Sequence, residues 1–284
     1  MSPEELLQEI PGYEALIVRS ATKVTAQVVA AGAKLKAVGR AGAGVDNIDV
    51  QAATEKGILV MNTPGGNANA VAELAVGLMF ALARKIPTTA EGMKAGRWEK
   101  KAYKGGELVG KTLGVLGIGY VGARVAEKAA ALGMKVLACD PLVSPEKAQE
   151  RGAEPCELER LISQCDYISL HLPKNEHTAG LLNAGAFARM KQGVFLINCA
   201  RGGIVVEADL LQALETGQVA GAGIDVYESE PPTDWALIKH PAVIATPHIG
   251  AATAEAQIVV AEMIGRQIGE YLTGGKVVHA VNQP

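Results

Sequence analysis

Polar side chains that can do chemistry follow three predicted strands in the second half of the chain. Arg201 follows the first strand, Asp225, Glu228 and Glu230 lie at or beyond the end of the second, and His248 follows the third. The strands are predicted at Val194–Asn198, Ala220–Val226 and Ala242–Thr246. In open α/β sheets, ligands bind beyond the carboxyl ends of the strands. We therefore expect an arginine, a carboxylate and a histidine to meet at one edge of a sheet.

These residue types suit the oxidation of an alcohol by hydride transfer. Histidine titrates in the range needed to accept the hydroxyl proton. A carboxylate against the far ring nitrogen raises the pKa of an imidazole and fixes its orientation. Arginine can hold a substrate carboxylate through two parallel hydrogen bonds and polarise the neighbouring carbonyl oxygen. A nicotinamide supplies the hydride acceptor, so the chemistry requires no metal and no protein nucleophile.

Each of these residues also has a plain structural interpretation. His248 alone is more often a capping or packing histidine, Arg201 a surface ion-pair partner, and Glu230 a solvated loop acid. Cys199 has no basic partner at a recognisable spacing, so we expect it to pack at a strand end rather than act as a nucleophile. The other histidines fit no metal-ligand spacing, and we expect no metal site.

A strand, a glycine-rich turn, a helix and a second strand are predicted over Thr112–Asp140. The turn carries Gly117, Gly119 and Gly122 at the spacing of a dinucleotide-binding motif, and Asp140 ends the second strand. A turn that binds nothing is the alternative, but strand, helix, spacing and terminal acid all favour a nucleotide site. Asp140 can accept hydrogen bonds from both ribose hydroxyls and would repel a 2′-phosphate, and no arginine directly follows it. The sequence therefore predicts NAD rather than NADP.

Composition excludes several classes of function. The chain has 284 residues, of which 49% are hydrophobic and 20% charged, an ordinary composition for an α/β protein. Its net charge of −3 does not indicate the basic surface that binds nucleic acid. Four cysteines lie scattered without paired spacing, which indicates reduced thiols. The first residues lack the features of a signal peptide, and the most apolar segment, Ala70–Ala83, is too short to span a bilayer. We expect a cytoplasmic protein with a small-molecule substrate and no membrane partner.

Strands alternating with short helices predict an α/β fold with a doubly wound parallel sheet (Rossmann type) and a second, smaller α/β domain. Residues Asn62–Asn67, rich in proline and glycine, mark a boundary. We predict a substrate domain over residues 1–64, an NAD-binding domain over 65–252, and a return helix and tail over 253–284. The substrate domain is therefore discontinuous. The helix Ala70–Arg84 is apolar nearly all round, and its pattern alone fits a core helix and a dimer face equally well.

The sequence resembles the D-2-hydroxyacid dehydrogenases, and within them the phosphoglycerate dehydrogenase branch. The matching stretches are residues 16–25, 39–49, 62–67, 117–122, 198–203, 225–232 and 246–253. The resemblance implies that His248 is the catalytic base, Glu230 its partner, and Arg201 the anchor of the substrate carboxylate and carbonyl. It implies cofactor contacts at Gly117, Gly119, Tyr120, Val121, Gly122, Asp140, Cys199, Ala200, Asp225 and Gly250. Substrate-side contacts are implied at Arg19, Ser20, Arg40, Gly42, Gly44 and Asn67.

The same resemblance implies a function and an assembly. The expected reaction is the NAD-dependent oxidation of 3-phospho-D-glycerate to 3-phosphohydroxypyruvate, the first step of serine biosynthesis. The expected assembly is a homodimer. Arg19 and Arg40 favour a phosphorylated substrate because a phosphate needs extra cations. The alternatives are another D-2-hydroxyacid dehydrogenase, such as a glyoxylate or hydroxypyruvate reductase, and a non-catalytic NAD-sensing protein on the same fold.

The sequence also departs from the family pattern. Ala43 and Leu172 stand where many relatives carry threonine. The strand, helix and strand that usually open the family's first domain do not precede residues 2–10, and no regulatory domain follows residue 282. We therefore expect a truncated, flavodoxin-like smaller domain and weakened turnover.

Overall fold

The computed structural model describes all 284 residues. It divides into two compact units, a smaller one formed by Met1–Asn69 with Ala251–Pro284, and a larger one formed by Ala70–Gly250. The helices are α1 (Pro3–Glu9), α2 (Ala26–Ala31), α3 (Val50–Glu55), α4 (Ala68–Arg84), α5 (Ile86–Lys94), α6 (Tyr120–Ala131), α7 (Pro145–Glu150), α8 (Leu158–Gln164), α9 (Ala184–Arg189), α10 (Glu207–Glu215) and α11 (Ala254–Gly274). The strands are β1 (Ala15–Val18), β2 (Ala37–Arg40), β3 (Leu59–Met61), β4 (Thr112–Leu116), β5 (Lys135–Cys139), β6 (Glu154–Pro155), β7 (Tyr167–Leu170), β8 (Val194–Asn198), β9 (Val219–Ile224) and β10 (Val243–Ala245).

The smaller unit is built on a parallel sheet in the order β1-β2-β3. Helices α1 to α3 cover one face, where Leu6 and Val38 belong to one buried cluster. Helix α11 covers the other face, where Ile264 and Leu59 belong to a second cluster. Gly39 in β2 permits this contact, because a Cβ atom there would lie 2.6 Å from Ile264 Cγ1. Burial of both faces explains why these strands are mostly apolar, with Arg40 at the end of β2 as the one charged residue.

By residue type and spacing, Ser2 with Glu5 predicts a capping box, and Thr25 and Thr253 are N-cap candidates; helices α1, α2 and α11 begin at these residues. The Glu5 N–H donates to Ser2 Oγ (3.2 Å) and the Ser2 N–H donates to Glu5 Oε2 (2.7 Å), which completes the predicted capping box of α1. Thr25 and Thr253 cap α2 and α11, each accepting a bond from the backbone three residues ahead.

The larger unit contains a seven-stranded parallel sheet in the order β10-β9-β8-β7-β4-β5-β6. From β4 the chain runs through β5 to β6 at one edge, then returns to place β7 on the other side of β4. This reversal is a topological switch point, and open α/β sheets bind ligands beyond such a point. Buried clusters lie on both faces, one including Leu161 and the other Val125. The predicted doubly wound sheet is therefore confirmed.

The structure differs from the sequence prediction at several elements. The apolar run predicts a strand at Leu35–Val38, whereas the observed β2 comprises Ala37–Arg40, because its pairing with β1 continues through Gly39 and Arg40. Helix α4 begins at Ala68, two residues before the predicted Ala70, and α6 begins at Tyr120, whereas the alanine-rich pattern predicts a start at Ala123. The sequence does not predict α5, α9 or β6. Strand β6 consists of two residues and includes a proline, so it lacks any periodic pattern.

Helix α4 buries most of its apolar surface within the larger unit. Leu78 and Leu82 lie against Gly223 and Gly221 of β9, where an added Cβ atom would meet them at 3.0 and 3.2 Å. Phe80 remains 38% exposed. Core packing thus accounts for most of the apolar pattern of this helix. Like every other helix of the structure, α4 is too short or too polar to cross a membrane.

Candidate active site

His248 and Glu230 form a hydrogen-bonded pair in the larger unit. Nδ1 of His248 lies 2.7 Å from Glu230 Oε2, and both side chains are partly exposed. The other oxygen of Glu230, Oε1, accepts a hydrogen bond from the Tyr227 N–H (3.2 Å). The carboxylate thus engages one ring nitrogen and leaves Nε2 as the nitrogen that can exchange a proton with a ligand.

Asp225 fixes the loop that carries His248. Its carboxylate accepts hydrogen bonds from the Thr246 hydroxyl (2.6 Å), the Ile249 N–H (2.8 Å) and the Gly250 N–H (2.8 Å). His248 lies between these contacts with a φ of +52°, which is uncommon for a residue with a side chain. Asp225 itself is 1% exposed. The structure therefore uses this carboxylate within the protein, to hold the histidine loop.

Arg201 lies in the loop that follows β8. Its Nη1 donates to the Ala200 carbonyl oxygen (2.7 Å), and Asn198 donates from its side chain to the Arg201 carbonyl oxygen (3.1 Å). Gly202 is packed directly against Tyr227, because a Cβ atom at this glycine would lie 1.6 Å from the Tyr227 carbonyl oxygen. Only glycine fits there, and the close approach ties the Arg201 loop to the segment that leads to Glu230.

The four cysteines are free thiols. Burial raises the pKa of Cys139 to about 11 and that of Cys165 to about 12. Burial also raises the pKa of Cys156 and of Cys199, and the nearby Asp225 charge raises the latter further. A thiolate is the reactive form, so these thiols are poor nucleophiles. Cys199 accordingly packs at the end of β8, as the sequence suggests.

The three motif glycines have different surroundings. Gly117 has a φ of +87°, and a Cβ atom there would lie 2.8 Å from the His171 carbonyl oxygen. At Gly122 an added Cβ atom would lie 2.0 Å from the Gly117 carbonyl oxygen, so this glycine allows α6 to approach β4. Gly119 begins α6 without a side-chain cap, and nothing lies within 4 Å of its Cβ position. The turn therefore presents open space at a helix N-terminus, which fits a pyrophosphate.

Tyr120 and Val121 follow in the first turn of α6, where Tyr120 is exposed and Val121 half-buried. Below the turn, His171 is partly buried: its Nε2 lies 2.9 Å from Ser169 Oγ, and its Nδ1 is buried without a hydrogen-bond partner. Burial lowers the pKa of His171 to about 3, so its imidazole is neutral.

Asp140 lies at the end of β5, beside the glycine turn. Its carboxylate accepts hydrogen bonds from the Ile118 N–H (2.9 Å) and the Leu142 N–H (3.0 Å). Ile118 is also held through its carbonyl oxygen, which accepts a hydrogen bond from Arg151. A cleft of about 240 Å³ adjoins Asp140, and its lining includes Ile118, Val143, Pro145, Ala148, Pro155 and Cys156. Pro155 and Cys156 of this lining could not be foreseen from the sequence, because β6 is only two residues long.

Asn47 joins two of the predicted substrate-side residues within the smaller unit. Its Oδ1 accepts a hydrogen bond from Arg40 Nε (3.2 Å). Its Nδ2 donates to the carbonyl oxygens of Arg19 (3.0 Å) and Thr22 (2.6 Å). Arg40 also donates to the Ala41 carbonyl oxygen. One amide side chain thus sets the position of Arg40 and of the loop that carries the exposed residues Arg19 and Ser20.

The remaining substrate-side candidates surround Thr63. The Gly42 N–H donates to the buried Thr63 hydroxyl (2.8 Å), and the Thr63 N–H donates to the Gly42 carbonyl oxygen (3.1 Å). Gly42 has a φ of +143°, and a Cβ atom there would lie 2.4 Å from Arg40 Nη1. Gly44 lies in the same loop, and Asn67 lies in the turn that precedes α4. Asn47 and Thr63 belong to the matching stretches, but their spacing gives no sign of these contacts.

Comparison with known proteins identifies similar sequences and folds. Residues 76–250 match the family described as D-isomer specific 2-hydroxyacid dehydrogenase, NAD binding domain. The D-3-phosphoglycerate dehydrogenase of Homo sapiens is 51% identical over 282 residues, which are 99% of this chain and 53% of that protein. The enzyme of the same name from Archaeoglobus fulgidus is 50% identical, over 100% of this chain and 54% of that protein. The chain spans about half the length of these relatives.

Solved structures resemble the fold over nearly the whole chain. A 3-phosphoglycerate dehydrogenase from Entamoeba histolytica with bound NAD+ has a TM-score of 0.84 and 34% identity, covering 100% of this chain and 87% of that one. A glyoxylate reductase from Paecilomyes thermophila has a TM-score of 0.89 and 33% identity, covering 98% and 88%.

Proposed function

Because the chain belongs to the D-isomer specific 2-hydroxyacid dehydrogenases, we propose that it transfers a hydride between NAD and 3-phospho-D-glycerate, forming 3-phosphohydroxypyruvate. The observation that carries this proposal is the His248–Glu230 pair, 2.7 Å apart, in the same unit as the open glycine turn and Asp140. Such a pair supplies the base that alcohol oxidation needs.

His248 is the proposed general base. Its Nε2 takes the proton from the substrate hydroxyl during oxidation and returns it during reduction. Glu230 stabilises the imidazolium through Nδ1 and keeps the ring in one orientation. Asp225 holds the loop on both sides of His248, so the base is in place before a substrate arrives.

Arg201 is the proposed anchor for the substrate. Its guanidinium can bind the carboxylate through two hydrogen bonds and polarise the oxygen on the reacting carbon. Arg19 and Arg40 of the smaller unit supply further cations, which suit a phosphate. Asn47, which holds Arg40 and the Arg19 loop, supports the assignment of both arginines to one binding function.

NAD fits the residues of the larger unit. The space at Gly119 admits a pyrophosphate, Asp140 can accept from the ribose hydroxyls, and the cleft beside it has an apolar lining for an adenine. Hydride acceptance is the chemistry that NAD supplies when bound. The other proposed cofactor contacts are Gly117, Tyr120, Val121, Gly122, Cys199, Ala200 and Gly250. Asp225 is left out of this set because its buried carboxylate holds the histidine loop.

Initial rates with a panel of substrates test the proposal. NAD and NADP would each be offered with 3-phosphoglycerate and with plain hydroxy acids, including glycolate and glycerate. We expect the highest kcat/KM for NAD with the phosphorylated acid. A preference for glycolate or glycerate would instead favour the alternative of a glyoxylate or hydroxypyruvate reductase, for which the similar fold of a glyoxylate reductase is the supporting observation. Absence of turnover with every acid would reject both.

We also propose that the protein is a homodimer that uses the exposed end of α4 and the segment after it. Phe80 on α4, Met93 on α5 and Trp98 beyond it are exposed apolar side chains, and Trp98 is 78% exposed. Sedimentation at micromolar concentration should give twice the chain mass, and Trp98→Glu should shift it toward the monomer.

The four free thiols suit a reducing compartment such as the cytoplasm, which cell fractionation tests.

A further inference from the structure

Glu207, at the start of α10, lies outside every role assigned above. The chain runs from β8 through the Arg201 loop to this residue, while Glu228 belongs to the segment between β9 and Glu230. The contact of Gly202 with the Tyr227 carbonyl oxygen already brings these two loops together. Glu207 and Glu228 form a second connection between them.

The two glutamates bind each other's backbone. Glu207 Oε1 accepts a hydrogen bond from the Glu228 N–H (2.7 Å), and Glu228 Oε1 accepts one from the Glu207 N–H (3.1 Å). Two carboxylates that face each other repel, and burial and the charge of Glu228 both raise the pKa of Glu207. Val206 at the helix N-cap provides no side-chain bond. The N–H of Glu207 at the start of α10 is therefore bound by an acid of the other loop rather than by an N-cap side chain.

The Glu207 contact adjoins the catalytic pair. The Tyr227 N–H donates to Glu230 Oε1, and the next N–H along the chain, that of Glu228, donates to Glu207 Oε1. Two consecutive backbone donors are thus divided between Glu230 and Glu207. Tyr227 is fixed at its other end as well, because its hydroxyl donates to the Thr246 carbonyl oxygen (2.8 Å), two residues before His248.

We propose that Glu207 is a positioning residue for the reaction: by holding the Glu228 N–H, it orients the backbone that presents Glu230 to His248 and sets Glu230 relative to the Arg201 loop. This inference rests on the proposed function, since it assigns Glu207 a part in base catalysis. The acceptor oxygen, and not the negative charge, is the feature that the geometry requires.

Two variants of Glu207 separate the acceptor from the charge. Glu207→Ala removes the acceptor, whereas Glu207→Gln keeps an oxygen that can accept from the Glu228 N–H. Glu215→Ala is the matched control, because it removes an exposed acid from the last turn of the same helix. We expect Glu207→Ala to lower kcat for oxidation on the order of tenfold, with the KM for NAD unchanged. Glu207→Gln and Glu215→Ala should both retain a kcat near that of the unaltered chain.

The pH profile gives a readout that general destabilisation would not reproduce. Oxidation requires a neutral imidazole, so its rate rises with pH as His248 loses its proton. A less fixed Glu230 stabilises the imidazolium less, so the acid limb of kcat should move to lower pH in Glu207→Ala and not in Glu207→Gln. An unmoved limb and unchanged kcat in Glu207→Ala would overturn the proposal, as would equal losses in both Glu207 variants.

Amide hydrogen exchange tests the contact without relying on turnover. The Glu228 and Tyr227 amides should exchange faster in Glu207→Ala than in Glu207→Gln, and unchanged exchange would overturn the proposal. If the unaltered chain turned over no hydroxy acid, the proposed function would fail, and the exchange result would still decide whether Glu207 fixes this backbone. If Glu207→Ala fails to fold, Glu207→Gln still decides, since a large loss of kcat in that folded variant contradicts the acceptor role.

Discussion

At the scale of single residues, the site depends on side chains that hold other groups in place. Glu230 divides its two oxygens between His248 and the Tyr227 N–H, and Asp225 fixes the backbone on both sides of the histidine. Substitutions can therefore distinguish the residues that position His248 from His248 itself, which transfers the proton.

His248→Ala should remove nearly all turnover and leave NAD binding intact, since the proposed NAD contacts lie at the glycine turn and Asp140. The loss expected for removing a general base is on the order of a hundredfold to ten-thousandfold in kcat. Glu230→Gln should cost less and move the acid limb of the oxidation rate to lower pH. Stopped-flow rates and a fluorescence titration with NADH measure the two effects. Substantial residual activity in His248→Ala would remove this residue from the mechanism.

Asp140→Asn tests the choice of cofactor. The amide keeps one acceptor oxygen for a backbone N–H and removes the charge that repels a 2′-phosphate. We expect a modest loss of NAD affinity and a gain for NADP, measured by titration with both reduced cofactors. Asp140→Ala should lose more NAD affinity, because the Ile118 and Leu142 N–H groups lose their acceptors too. A preference of the unaltered chain for NADP would contradict this assignment.

Asn47→Ala should raise the KM for the hydroxy acid on the order of tenfold and leave the affinity for NAD unchanged. Arg40 would lose its Nε acceptor, and the Arg19 loop would lose two bonds. Asn47→Asp is the informative partner, because it keeps the acceptor for Arg40 and sets a carboxylate oxygen against the two loop carbonyls. Equal KM values in all three proteins would show that Asn47 has no part in substrate binding.

At the scale of elements, the hydrophobic runs and glycine stops predicted most of the alternating strands and helices. The apolar runs at residues 112–116, 167–170 and 194–198 coincide with the observed bounds of β4, β7 and β8, because buried parallel strands form continuous apolar runs. They missed α5, whose first residues are Ile-Pro-Thr-Thr, and β6, which is too short for a period. The bonds of Asn47 to the Arg19 and Thr22 carbonyl oxygens and of Glu207 to the Glu228 N–H could not be predicted, since these partners are backbone groups distant in sequence that only the folded loops bring close.

Gly122 and Gly119 offer a matched pair of substitutions in one motif. Gly122→Ala places a Cβ atom 2.0 Å from the Gly117 carbonyl oxygen, so α6 must move away from β4, at a cost of about 3 kcal/mol of unfolding free energy. Gly119→Ala meets no protein atom within 4 Å and has a φ of −69°, so stability should be unchanged. NAD affinity should nevertheless fall in Gly119→Ala. Thermal melts and NADH titrations would refute the assignment if both variants behaved alike.

At the scale of the whole molecule, stability should fall as the pH decreases below the usual titration range of histidine. The pKa of His171 is lowered to about 3 in the folded chain, against about 6.5 when unfolded. Between these two pKa values the unfolded chain binds a proton that the folded chain does not, so the loss of stability begins near pH 6.5 and grows until about pH 3. At pH 5 the loss from this group is about 2 kcal/mol.

His171→Phe should flatten this dependence, because an apolar ring of similar size does not titrate. The measurement is the change in unfolding free energy between pH 7 and pH 5 for both proteins in urea. Ser169→Ala, which removes the hydrogen-bond partner and keeps the imidazole, should retain the steep dependence. Identical pH dependence in His171→Phe and the unaltered chain would assign the acid sensitivity to other groups.

The low reactivity of the four thiols provides a way to measure when the folded chain opens. Cys139 and Cys156 lie half-buried near the β5–β6 edge, while Cys165 and Cys199 lie in the interior. A brief pulse of an alkylating reagent near neutral pH should therefore leave the folded chain unmarked and add mass only to molecules that have opened. Two added groups would record fraying of that edge, and four would record complete unfolding. Mass spectrometry after such a pulse can therefore follow the opening of the chain over time through its native cysteines, without an engineered label.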